Sequence, residues 1–157
     1  MNKMRVILLL AAAAVIAGCA GTPRMSDADR LALYQAHAGE PVRGFSLFGG
    51  LYGWSPLGNR AMVVWTRPNQ AWLLDLAGPC YDLDYATALA ISSFGGRVQA
   101  RSDSVTPLGS MVGQVGRVPC RIDRVRPVDA KSVKQAEQDV RQASVQPRQA
   151  EEASGAE

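Results

Sequence analysis

A chain of 157 residues with 17 Lys and Arg against 14 Asp and Glu, a single His and three Cys has room for one domain. Its formal charge of +3 owes two positive residues to the N-terminal leader described next, so overall charge lends no support to a nucleic-acid partner. A histidine pair, a nucleophile elbow and a phosphate-cradling loop are all missing, which argues against the commoner catalytic constellations.

Met1 to Arg5 carries Lys3 and Arg5, and Val6 to Ala17 is an unbroken run of 12 apolar residues. A bilayer span needs about 20, so this run is short for a permanent anchor and suits the core of a signal peptide. It ends in Ile16-Ala17-Gly18-Cys19, which resembles a bacterial lipobox with Ile where Leu is commoner. The resemblance implies a diacylglycerol thioether on Cys19, cleavage before it and an acylated, palmitate-type N-terminus. Ala20 rather than Asp follows, which implies outer-membrane sorting. The plainer alternative is an ordinary secretory signal with a chance cysteine. Two or more acyl chains anchor stably where one is marginal. Cleavage would take two of the 17 basic residues, Lys3 and Arg5, leaving 15 against 14 acidic ones.

With Cys19 assigned to lipid, Cys80 and Cys120 form an even pair in an oxidising compartment, and one disulfide is the simplest outcome. The alternative is two free thiols in a redox or metal site, although no C-x-x-C and no nearby His accompany them.

Residues 19–25 read as a lipidated tether. Ser26-Asp27-Ala28-Asp29 has the chemistry of a helix start, and Leu31, Tyr34 and Ala38 follow at helical spacing, predicting a helix over Asp27 to Ala38. Leu31 and Tyr34 are expected against a sheet, with His37 an exposed residue of the last turn. Val42 to Asn59 interleaves glycine with Phe45, Phe48, Tyr52 and Trp54. Strands are predicted at Arg43 to Phe48 and Leu51 to Ser55, with a turn at Pro56 to Asn59. Tyr52 and Trp54 are candidate ligand or partner residues, the competing reading being core aromatics joined by glycine turns.

Ala61 to Leu76 reads as a hairpin turning at Pro68-Asn69. An ungapped pairing places Trp65 opposite Trp72, Val63 opposite Leu74 and Ala61 opposite Leu76, with both faces apolar and therefore covered. Cys80 to Tyr85 reads as a loop or single turn. Its Asp82 and Asp84 are too few for a calcium loop, and a catalytic role for either needs a second ionisable group in a shared cleft. Ala86 to Ser93 reads either way, its alanines favouring helix and Leu89 to Ser92 alternating like a strand; the strand is preferred because Phe94-Gly95-Gly96 then turns it into Arg97 to Arg101. Asp103 to Thr106 extends or follows that strand, and Ser110 to Gly116 reads as a loose loop or weak strand. Val118 to Val128 is predicted as a closing strand, with Cys120 and Ile122 inward. Its Arg121, Arg124 and Arg126 are a candidate partner surface for lipid phosphates or another anionic polymer, or else charges protecting an edge strand. From Asp129 a thin stripe of Val133, Ala136, Val140 and Ala143 predicts a helix to about Ala143, then a disordered tail.

The strings WTRPNQAWLLDLAGPCYDLDYA, GRV and CRIDRVRPVDAK, together with the lipobox and SDADRLALYQAHAG, resemble a family of small proteobacterial lipoproteins, domain of unknown function 6491. The position of Trp72 is often Tyr there, a mild departure. The resemblance implies a shared fold, export and a paired Cys80–Cys120, and it supplies no reaction and no catalytic residue. The expected organisation is a signal peptide over 1–18, the tether, a β-rich domain over 26–129 and a polar helix or tail over 130–157. The expected class is α+β, a single small domain dominated by an antiparallel sheet or partly closed barrel. The expected function is a non-enzymatic lipoprotein of the outer membrane facing the periplasm, with no metal or cofactor, a membrane anchor and an envelope protein partner. The competing expectation is a small-ligand binder or an inhibitor of a cell-wall hydrolase acting through Phe45 to Trp54.

Overall fold

The computed structural model describes residues 25–109 and 118–154, and side chains as far as residue 143. Cys19 and the residues read as a lipobox, the segment read as a tether before Met25, Ser110 to Gly116 and the last three residues lie outside the described residues.

The first helix, α1, spans Asp27–Ala36. Ser26 caps it by accepting the Asp29 N–H at 3.1 Å, and Asp27 and Asp29 occupy the positive end of the dipole. It stops before Ala38 because the following segment is drawn into strand pairing. Ala38 bridges Val128, Gly39 donates to the Pro127 carbonyl at 2.8 Å and Val42 to the Val125 carbonyl at 2.8 Å.

Among the described residues eight strands follow: β1 (Gly44–Ser46), β2 (Gly53–Pro56), β3 (Ala61–Arg67), β4 (Gln70–Leu76), β5 (Ala88–Ile91), β6 (Arg97–Gln99), β7 (Ser104–Leu108) and β8 (Cys120–Val128). Six of them form an open antiparallel sheet in the order β2-β3-β4-β8-β7-β5, and β1 and β6 pair as a separate ribbon. The class is thus α+β in one small domain, without barrel closure.

The hairpin turns at Pro68-Asn69 with Arg67 opposite Gln70, but its register differs from the ungapped pairing. Thr66 is an extra residue in β3, so Trp65 faces Ala71, Val64 faces Trp72 and Val63 faces Leu73. The bulge moves each partner by one position and thereby sends the two indoles to opposite faces. On one face Met62, Val64, Leu74, Ile122 and Val125 pack under the ribbon's Phe45 and Val98, and Trp72 stacks on Phe45 with centroids 5.3 Å apart. On the other, Ala61, Val63, Leu73 and Val128 pack with Tyr34, and Trp65 meets Tyr34 edge-on at 6.2 Å. Both faces are covered, which makes the molecule three layers thick: ribbon, sheet and helices.

Three further expectations are corrected. The β8 strand is not an edge: it lies between β4 and β7, and residues 38–42 cover the rest of its outer side. Although Ala88–Ile91 is a strand and Phe94 bridges Arg97 across a turn, β5 pairs with β7 while β6 pairs with β1. Gly44 permits that ribbon, because a β-carbon there would run into the Val98 carbonyl. Finally, the second helix, α2, runs Ala130–Ser154, well past Ala143. Its Ala, Gln, Glu and Arg are strong helix formers, so little burial is needed to sustain it, and its first turns bury Ala130 and Val133 against the second face.

Candidate functional site

Tyr52 and Trp54 flank Gly53 at the start of the edge strand β2, where Gly53 lies opposite Trp65 and Trp54 opposite Val64. Tyr52 is 69% exposed, whereas Trp54 is half-buried and packs on the first core. Both line a cleft of about 350 Å³ between α1, the β2–β3 edge and the first turns of α2, whose walls include Trp65, Arg30, Lys134 and Glu137. The volume lies at the small end of the ligand-site range.

The charges of this cleft are already committed. Arg30 donates to the Ser55 hydroxyl at 2.8 Å and the Pro56 carbonyl at 3.3 Å, stitching α1 to β2. Lys134 donates to the Pro68 carbonyl at 2.7 Å, clasping the hairpin turn from α2. The Tyr34 hydroxyl donates to Glu137 at 3.4 Å, and burial, followed by the Glu137 charge, pushes its pKa far above the usual phenol value. What remains for a ligand is the aromatic wall of Tyr52 and Trp65.

The arginines of β8 are divided rather than massed. Arg126 donates to Asp75 at 3.0 Å, and its buried Nε has no partner among the described residues. Arg124 lies 3.3 Å from Asp75 and 3.5 Å from Asp123. Arg121 is exposed and reaches the Arg101 carbonyl at 3.4 Å. Arg126 and Asp75 therefore form a largely buried ion pair, while Arg124, half exposed and paired to Asp75 and Asp123, and Arg121 remain at the outer surface. The hub, Asp75, was a residue the sequence reading passed over, although an acid inside the apolar run WLLDLA is itself a signal of a buried partner.

Cys80 and Cys120 are disulfide-bonded with Cα atoms 5.7 Å apart, tying the segment after β4 to the start of β8. Asp82 precedes and Asp84 lies within a short 3₁₀ turn, Leu83–Tyr85. Partial burial, then repulsion from Asp27, raises the pKa of Asp84. Among the described residues no cluster of three or more His, Cys, Asp or Glu side chains is arranged to hold a metal, and no helix is long and apolar enough to cross a membrane.

Residues 2–144 match the model of a family of unknown function, DUF6491. The chain belongs to that family. No curated protein and no solved structure matches it. The DUF6491 match spans α1, the whole sheet, both cysteines of the disulfide and the first turns of α2.

Proposed function

We propose that this chain is a non-enzymatic envelope lipoprotein, anchored through acyl chains on Cys19 in the outer membrane and facing the periplasm, whose domain acts as a protein-interaction module. The observation that carries this reading is the Cys80–Cys120 bond, because disulfides persist in oxidising compartments and are rare where thiols are kept reduced. The apolar run ending in Ile16-Ala17-Gly18-Cys19 supports it from the sequence side. The test is expression of the full chain in a bacterium with an outer membrane, followed by acyl labelling, fractionation and thiol alkylation. Cys19→Ala should lose the label and leave the membrane fraction, while Cys80 and Cys120 resist alkylation until reduced. Alkylation of both without reductant would overturn the compartment.

A second reading is favoured by the exposure of Tyr52 on the β2 cleft: a small-ligand binder, or an inhibitor that inserts this aromatic edge into a cell-wall hydrolase. Tyr52→Ala should abolish such inhibition or binding while leaving the thermal midpoint within about 2 °C, as expected for an exposed side chain.

A further inference from the structure

On the opposite side of the sheet, a second cleft of about 290 Å³ opens between the β1–β6 ribbon and the end of the β3–β4 hairpin. Its apolar wall is Trp72, backed by Phe45, together with Phe48. Phe48 is 75% exposed yet has a fixed seat. Leu47 donates to the Gly96 carbonyl at 2.7 Å, and a β-carbon on Gly96 would stand 2.7 Å from the Phe48 ring. The fold thus reserves a glycine to hold an aromatic ring against this turn.

Two arginines line the same cleft. Arg97 is registered opposite Ser46, and Arg67 opposite Gln70. Among the described residues neither has an acceptor, unlike Arg30, Arg124 and Arg126, whose guanidinium groups are engaged. Thr66 and Gln70, hydrogen-bonded to each other at 2.9 Å, supply hydroxyl and amide groups beside them. The Thr66 bulge is what brings this set together, since it turns Trp72 toward the ribbon side; bulges commonly re-aim side chains beside sites.

We infer that this cleft binds a phosphorylated sugar. A phosphate monoester carries about −1.5 to −2 charge near neutral pH, so it engages two guanidinium forks where a single carboxylate would satisfy one. The Phe48 and Trp72 rings offer an apolar face for the pyranose, and Ser46, Thr66 and Gln70 offer partners for its hydroxyls. The volume is on the scale of one ring with its phosphate.

The experiment is titration of the full chain with glucose 6-phosphate, inorganic phosphate and glucose in parallel, read by tryptophan emission and by calorimetry. Glucose 6-phosphate should bind saturably, about tenfold or more tighter than either fragment, and weaken with added salt. The double variant Arg67→Gln, Arg97→Gln should lose about tenfold or more in that affinity with an unchanged thermal midpoint, because neither side chain holds the fold together. Saturation absent up to about 10 mM, equal binding of either fragment, or unaltered affinity in the double variant would each overturn the assignment.

Discussion

Asp75 decides the fate of two arginines at once. Its carboxylate lies 3.0 Å from Arg126 and 3.3 Å from Arg124, and the buried Arg126 Nε already lacks a partner among the described residues. Replacing Asp75 with Ala strands the largely buried Arg126 guanidinium and leaves Arg124 with Asp123, so Asp75→Ala should cost about 2–3 kcal/mol in urea denaturation, more than Arg124→Ala, which removes the more exposed partner. Trp72→Ala removes an indole that is stacked on Phe45 and half-buried, and should cost about 3 kcal/mol by the same measurement. Asp129 gives a pH-dependent counterpart. Hydrogen bonds from the Ser132 hydroxyl first, then from the Ser132 and Lys131 N–H groups, hold its carboxyl below the usual range. Because folding lowers this pKa, the cap's contribution is present above the unfolded value and fades as pH falls through the folded one. Helix content by circular dichroism should therefore decline below about pH 4 in the native chain, and that component should vanish in Asp129→Asn, whose amide still caps. Asp84 acts with the opposite sign: its pKa is raised, so the stability it contributes is present at low pH and is lost as pH rises through the folded value.

At the scale of elements, the Phe94–Arg97 turn is the sharpest test of how the ribbon is held. Gly96 has φ +72° and lies against the Phe48 ring, so Gly96→Ala meets both backbone strain and a side-chain clash. A loss of about 1–2 kcal/mol in thermal stability is expected, with the ribbon side of the sheet affected first. That turn was legible in the residues; its consequence was not. Local chemistry marked Ser26, Asp27 and Asp29 as a helix start and Pro68-Asn69 as a hairpin turn, and favoured strand over helix for Ala86 to Ser93. Such signals act within a few residues. The Thr66 bulge answers instead to tertiary demand: Trp65 must meet Tyr34 on the helix side and Trp72 must meet Phe45 under the ribbon, and no ungapped hairpin satisfies both. The β1–β6 pairing joins Phe45 to Val98, and Asp75 finds Arg126 51 residues away. Contacts at those separations leave no short-range pattern. The Tyr52 side of the candidate site was readable from its aromatic–glycine run, while the Arg67–Arg97 cleft required the bulge and the ribbon to be seen together.

Across the whole molecule, the disulfide divides the sheet into halves of different dependence. Cys80 follows β4 and Cys120 opens β8, so the 40-residue separation encloses β5, β6 and β7. Breaking that closure should cost about 4 kcal/mol in the chain-entropy account, a large share of the 5–15 kcal/mol typical of a small domain. The cost should fall unevenly. The β3–β4 hairpin keeps its own turn and is covered by α1 and the start of α2, whereas among the described residues β5 pairs with the sheet only through β7, and β7 pairs with β8 only at Ser104 and Val105. Hydrogen exchange after mild reduction should accelerate first at β5 and β7 amides and last at Val63, Val64, Leu73 and Leu74. Uniform acceleration would mean that the enclosed segment and the hairpin unfold as one cooperative unit. The Asp103 cluster would then be the coupling element, since its carboxylate accepts from the Ser92 hydroxyl at 2.6 Å and the Gln99 N–H at 2.7 Å, while its carbonyl accepts from Ile122 at 3.0 Å. Asp103→Ala in the oxidised protein should reproduce the β5–β7 acceleration without touching the sulfurs, separating the contribution of that hydrogen-bonded corner from that of the covalent tie.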